Sequence, residues 1–252
     1  MSILPDLEDE LYRLITAAQA QDIFLRILGG LAIKVHSPHA NHRALERSYP
    51  DIDFVTDKES AKRLVDFLPE MGYVPNKTFN TLSGDRRQLY YDEEHGRQID
   101  VFIGDFTMCH TLPLADRLEI EPITIPLAEL FLSKAQIVNL NRKDVLDLLA
   151  LLLDHEAGPS DEESINTDLI AELCAHDWGL YTTVSMTIEK LRTFLANGEV
   201  ELDDAQKQTL EDRLTKIQQA MDAAPKTMGW KMRDKVGTRV RWYEEVEEVQ
   251  RT

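Results

Sequence analysis

The sequence predicts an α+β chain, with a mixed sheet flanked by helices over residues 1–125 and a helical domain over residues 126–252. Three observations predict it. An apolar run from Ile23 to Leu28 stops at Gly29-Gly30 and gives way to a helical pattern from Leu31, the mark of a strand-to-helix turn. From Tyr73 to Phe106, strand-forming runs alternate with polar breaks at Ser83-Gly84-Asp85 and Asp92-Glu93-Glu94-His95-Gly96, which reads as a meander. Beyond Pro126 the apolar spacing is helical almost throughout.

In chain order, Leu7, Leu11, Leu14, Ile15 and Ala18 recur at three and four residues as the buried stripe of a first helix, with Pro5 suited to its first turn. Leu31 to Val35 begins a short helix that Ser37-Pro38-His39-Ala40-Asn41-His42 breaks, and this loop leads to a strand at Asp51-Ile52-Asp53-Phe54-Val55. Ala61, Leu64, Val65 and Leu68 form one face of a helix closed by Gly72. Leu89-Tyr90-Tyr91 and Gln98 to Ile103 pair as a hairpin, and Glu119 to Ile125, fenced by Pro122 and Pro126, is expected as an edge strand. Leu127 to Leu140 and Arg142 to Leu153 are apolar helices, and Asp154 to Asp161 is a linker by composition. Ile165 to Leu195, split near Asp177-Trp178-Gly179, and Leu202 to Met221 supply the remaining helices.

Composition narrows the function. Lys and Arg total 28 against 45 acids, a formal net charge of -17, which disfavours a long polynucleotide and leaves small molecules, nucleotides with Mg2+ or a basic protein partner. The two cysteines, Cys109 and Cys174, have neither metal-site spacing nor the density of a disulfide scaffold. The acidic N-terminus lacks the basic and then apolar pattern of a signal peptide, and the longest apolar run, Leu148 to Leu153, is too short for a bilayer. A cytoplasmic protein without membrane contact is expected.

The chemistry concentrates in two strands. Asp51 and Asp53 share one face of a strand while Ile52 and Phe54 take the other. Two carboxylates that close call for a hard, oxygen-ligated cation such as Mg2+. Asp100, inside Ile99-Asp100-Val101-Phe102-Ile103, joins them if its strand lies alongside, completing a triad for two metal ions. The plain alternatives are a strand-end acid pair facing water and, for Asp100, a pairing with Arg97. Asp105 competes for the third place, but Gly104 puts it in a turn.

Gly29-Gly30, Asp51-x-Asp53 and the strand-borne Asp100 together resemble the signature of the polymerase-beta-like nucleotidyltransferase fold. Leu28-Gly29-Gly30-Leu31-Ala32, with Arg47 four residues before Asp51, is most similar to its small prokaryotic branch of abortive-infection toxins and aminoglycoside nucleotidyltransferases. The resemblance covers the first half of the chain and continues more weakly to about Leu153. It implies a toxin-antitoxin-like or antibiotic-modifying enzyme that binds ATP or another nucleoside triphosphate, moves the nucleoside monophosphate to an acceptor hydroxyl and releases pyrophosphate. Asp51, Asp53 and Asp100 would hold two Mg2+ ions, with Asp100 as general base. Gly29, Gly30, Arg47 and Lys134 would hold the nucleotide, and Arg142-Lys143-Asp144 resembles the family's Arg-x-Lys-Asp stretch. The acceptor, whether small molecule, protein or RNA end, is not readable. The family more usually carries Gly-Ser where this chain has Gly-Gly. That departure leaves a second reading, a catalytically inactive protein of this fold that binds or recognises a partner. A third is a helical interaction protein in which the Asp pair is incidental.

Two further features stand outside the triad. His36, His39 and His42 at i, i+3 and i+6 invite a zinc reading, which Pro38 and the lack of a nearby Cys weaken in favour of a polar loop rim. Lys226, Lys231, Arg233, Lys235, Arg239 and Arg241, interrupted by Trp230 and Trp242, form the one basic concentration. It reads either as a phosphate or base contact or as a solvated helix face with docked aromatics, and Glu244-Glu245-Val246-Glu247-Glu248 follows with the charge to neutralise it.

Overall fold

A computed structural model describes residues 3–245 as a mixed α+β chain that divides into two compact units. The first takes residues 1–32, 48–106 and 113–125; the second takes 33–47, 107–112 and 126–252.

In the first unit, α1 (Leu7–Gln19) begins where Asp6 accepts the N–H groups of Glu8 and Asp9, so Pro5 lies just outside the helix. Its stripe of Leu11, Leu14, Ile15 and Ala18 is buried. Glu10 is also wholly buried, because Arg13 and the Tyr73 hydroxyl both donate to it. A five-stranded sheet carries the rest: β1 (Arg26–Leu28), β2 (Ile52–Thr56), β3 (Val74–Pro75), β4 (Arg87–Asp92) and β5 (Arg97–Ile103), in the order β1-β2-β5-β4-β3. Only β2 and β5 run parallel; the other three pairings are antiparallel. The parallel pair requires a crossover, which α3 (Lys58–Glu70) begins, capped by Asp57 and left at Gly72 with φ +104°.

The hairpin of β4 and β5 matches the expected meander. Three expectations differ. Residues Lys77–Ser83 form a helix, α4, because the Asn76 side chain caps it by accepting the Phe79 N–H. Residues 119–125 are not a strand; Ile27 bonds the backbone of Ile123 and Ile125, and the pairing stops there because Pro122 and Pro126 have no N–H to extend it. Val65 is exposed, and Phe67 takes the buried place beside Ala61, Leu64 and Leu68.

α2 (Gly29–His36) follows β1, and its residues after Ala32 belong to the second unit. That unit is helical: α5 (Leu127–Ala135), α6 (Arg142–Asp154), α7 (Thr167–His176), α8 (Trp178–Ala196), α9 (Asp204–Ala223) and α10 (Met228–Val236). α5 stops five residues short of Leu140, and α6 restarts at Asn141, whose side chain accepts the Asp144 N–H while Asp144 accepts the Asn141 N–H. The stretch expected to be a linker contains a short strand, Glu156–Gly158, parallel to Ser164–Asn166. Asp177 caps α8, which is what splits the helices there. Among the described residues no helix is long and apolar enough to cross a membrane.

Candidate active site

The register of the first unit's sheet gathers its acids. Asp53 and Asp100 are direct partners on the parallel strands β2 and β5, and Leu28, the last residue of β1, is Asp53's partner on the other side. Asp51 precedes β2 by one residue and shares the face of Asp53; its Oδ1 accepts the Gln98 N–H at 2.9 Å. Ile52 and Phe54, on the opposite face, are fully buried. Asp51 and Asp53 are half-buried, and Asp100 is buried.

Gly29 completes this face. Its φ of +73° lies in the left-handed region, and a Cβ at this position would sit 2.5 Å from Asp53 Oδ2. The Asp53 carboxylate therefore lies directly over the glycine Cα where β1 turns into α2, and Gly30 follows as the second residue of the helix.

Sequence reasoning missed Arg87. The β4–β5 register pairs Leu89 with Asp100, which puts Arg87 two residues along on the same face. Its Nε donates to Asp100 Oδ1 at 2.7 Å and its Nη2 donates to Oδ2, a bidentate pair, while the guanidinium lies 4.8 Å from the Phe102 ring centroid. Arg97, the neighbour weighed as Asp100's partner, instead donates to the Leu4 and Pro5 carbonyls. The hairpin break at 92–97 fixes the register, so Arg87 was derivable from it.

Electrostatics tie the four groups together. Burial pushes the Asp100 carboxyl above its ordinary value, Arg87 draws it back by hydrogen bond and charge, and the charge of Asp51 adds to the rise. Burial lowers Arg87, but its bond to Asp100 and the charges of Asp100 and Asp53 outweigh that and hold it above the ordinary value. Three carboxylates against one guanidinium leave a formal charge of about -2 on the face.

Among the described residues no three His, Cys, Asp or Glu side chains converge as a metal site, and Asp100 is turned onto Arg87. The donor chemistry nevertheless fits a hard divalent cation: Asp51 and Asp53 supply carboxylate oxygens on one half-exposed face that carries excess negative charge.

Arg47 and Lys134 lie in the second unit, and both reach Asp147. Arg47 donates to its two oxygens at 2.6 and 2.7 Å. Lys134 is 3.4 Å from Asp147 and 2.9 Å from Asp144. Asp147 is 1% exposed, so this is a buried cluster of two cations and two acids. Asp147 was also missed; its signal is an acid within the apolar run Leu146-Asp147-Leu148.

The three histidines do not converge on one centre: His36 ends α2, and the rings of His39 and His42 lie 6.4 Å apart. The His39 ring pairs with Asp154 at 2.5 Å, and the His36 ring meets His155 edge-on at 5.8 Å. Burial, reinforced by His155, lowers His36 to about 4, which keeps it neutral.

No protein-family model matches this chain, and no curated protein is significantly similar to it.

Proposed function

We propose that this protein is a Mg2+-dependent nucleotidyltransferase that moves a nucleoside monophosphate from a nucleoside triphosphate to an acceptor hydroxyl. One observation carries the reading: Asp53 stands beside Asp100 on parallel strands with Asp51 on the same face, and the Asp53 carboxylate lies over Gly29 at the start of a helix. The resemblance of these residues to the polymerase-beta-like fold adds to it.

Asp51 and Asp53 would hold the cation, which when bound neutralises charge on the triphosphate and polarises its phosphorus–oxygen bonds. The N–H groups at the start of α2 face outward from a helix N-terminus and favour phosphate oxygens. Asp100, raised by burial, is suited to take the acceptor hydroxyl's proton, and Arg87 holds its carboxylate in place. The acceptor oxygen then bonds the α-phosphorus, the α–β anhydride breaks, and pyrophosphate leaves. The resemblance implies a phosphate-binding role for Arg47 and Lys134, which in this structure pair with Asp147 and Asp144, and use of a nucleoside triphosphate fits a cytoplasmic protein.

The Arg87 pair favours a second reading, in which Asp100 is permanently neutralised and the protein binds nucleotide without turnover. Incubation with each α-labelled nucleoside triphosphate, Mg2+ and a panel of aminoglycosides, proteins and RNA ends separates the two. Label transfer with pyrophosphate release that Asp53→Asn abolishes supports the enzyme; nucleotide binding without transfer to any acceptor supports the second reading.

A further inference from the structure

Helix α10 has one face that packs and one that does not. Inward, the Trp230 ring meets Tyr181 edge-on at 5.3 Å, the Arg233 guanidinium lies 4.7 Å from the Trp178 ring centroid, and Asp234 accepts the Trp178 indole N–H at 2.8 Å. Outward, Met228, Met232 and Val236 recur at every fourth residue, and Val240, past the helix end at Gly237, is exposed as well. They are 73%, 66%, 41% and 59% exposed, and they make up four of the ten large apolar side chains that are exposed among the described residues.

Cations border the stripe. Lys231, Lys235 and Arg239 are exposed and form no ion pair among the described residues, whereas Arg241 pairs with Glu245 at 2.7 Å. From Lys226 to Arg241 there are six cations against Asp234 alone, in a chain whose net charge is -17. The stretch is net positive within a strongly acidic chain.

We propose that this face of α10 is a docking surface for an acidic amphipathic helix of a partner protein. Its apolar row would lie along Met228, Met232 and Val236, and its carboxylates would meet Lys231 and Lys235. Exposed methionines adapt to a partner's side chains, and cations flanking an apolar row select a row flanked by acids. Antiparallel pairing of α10 with a second copy of itself would bring lysines of both copies to one seam, so like charges oppose it. A two-turn helix on a strongly acidic body is a poor anchor for an anionic bilayer. An apolar row is equally ill-matched to nucleic-acid phosphates.

The test uses the full-length protein and a fluorescent helical peptide of about 14 residues, with leucines at helical spacing flanked by glutamates, beside a version with lysines for glutamates. Fluorescence anisotropy should show the glutamate peptide binding at least about tenfold more tightly than the lysine peptide, and more weakly as salt shortens charge interactions. Met228→Glu with Met232→Glu, and separately Lys231→Glu with Lys235→Glu, should abolish binding while the melting temperature stays unchanged, because all four side chains are exposed. Equal binding of the two peptides, or binding indifferent to both variants, would overturn the proposal. So would stripe-dependent dimerisation in sedimentation, stripe-dependent binding to phosphatidylglycerol vesicles, or peptide binding seen only in a chain ending at Glu245. The last result would assign the face to the chain's own final residues, where Val246 to Glu248 lie outside the described residues.

Discussion

On the acidic face, the Asp53 carboxylate occupies the space that a Cβ at Gly29 would need. Gly29→Ala introduces a Cβ 2.5 Å from Asp53 Oδ2 and forces a side-chain-bearing residue to φ +73°. The left-handed conformation alone costs about 1–2 kcal/mol, and the carboxylate has to swing away. We expect urea denaturation to show that loss of stability, together with loss of any nucleotide affinity. Unchanged affinity would detach Gly29 from the site.

Asp100 gives a second test at the same scale. A carboxyl whose folded value lies above 3.8 holds its proton more tightly in the folded state than in the unfolded one, so stability falls as pH rises between those two values. Titration of Asp100 followed by carboxyl-carbon NMR should show a midpoint above 3.8, and Arg87→Met, which removes the hydrogen bond and positive charge that draw it down, should raise it further. A midpoint that Arg87→Met leaves in place would show that the pair does not govern this acid. The three aspartates were legible in the sequence because an acid between apolar strand residues is conspicuous. Arg87 was overlooked, because its significance lies in the cross-strand register that the hairpin break sets rather than in its immediate neighbours.

At the scale of elements, α5 and α6 are held at one point by Asp147, which receives Arg47 and faces Lys134. Removing one partner from a buried ion cluster leaves unmatched charge, so Asp147→Ala should destabilise by about 3–5 kcal/mol, read as a lower urea midpoint. Asp147→Asn, which keeps one acceptor oxygen, should lose less. Equal stability of Asp147→Ala and the parent would mean that the cluster is hydrated and contributes nothing. Helices with long apolar stripes, such as α1 and α8, were readable from spacing. α4 was not, since its first turn rests on the Asn76 cap and it buries no residue. The expected edge strand at Glu119–Ile125 was misread because β-forming residues between prolines satisfy the pattern without a ladder to join.

For the whole molecule, sequence order separates an α+β first half from a helical second, and the α+β class follows from it. The return of residues 33–47 and 107–112 to the helical unit was not legible, because nothing in their composition states which neighbours they pack against. The acidic charge belongs to this scale too. It sets repulsion from polyanions at long range, and on the proposed nucleotide reading the face bearing Asp51 and Asp53 would need a cation before it could approach a triphosphate. The most direct test is therefore the thermal stability of the protein with each of the four ribonucleoside triphosphates, with and without Mg2+, beside the same titration of Asp51→Ala with Asp53→Ala. A nucleotide at a hundred times its dissociation constant should stabilise by about 2.7 kcal/mol, and only when Mg2+ and both aspartates are present. Stabilisation by none of the four, or an equal shift without Mg2+ and in the double variant, would contradict the nucleotide site.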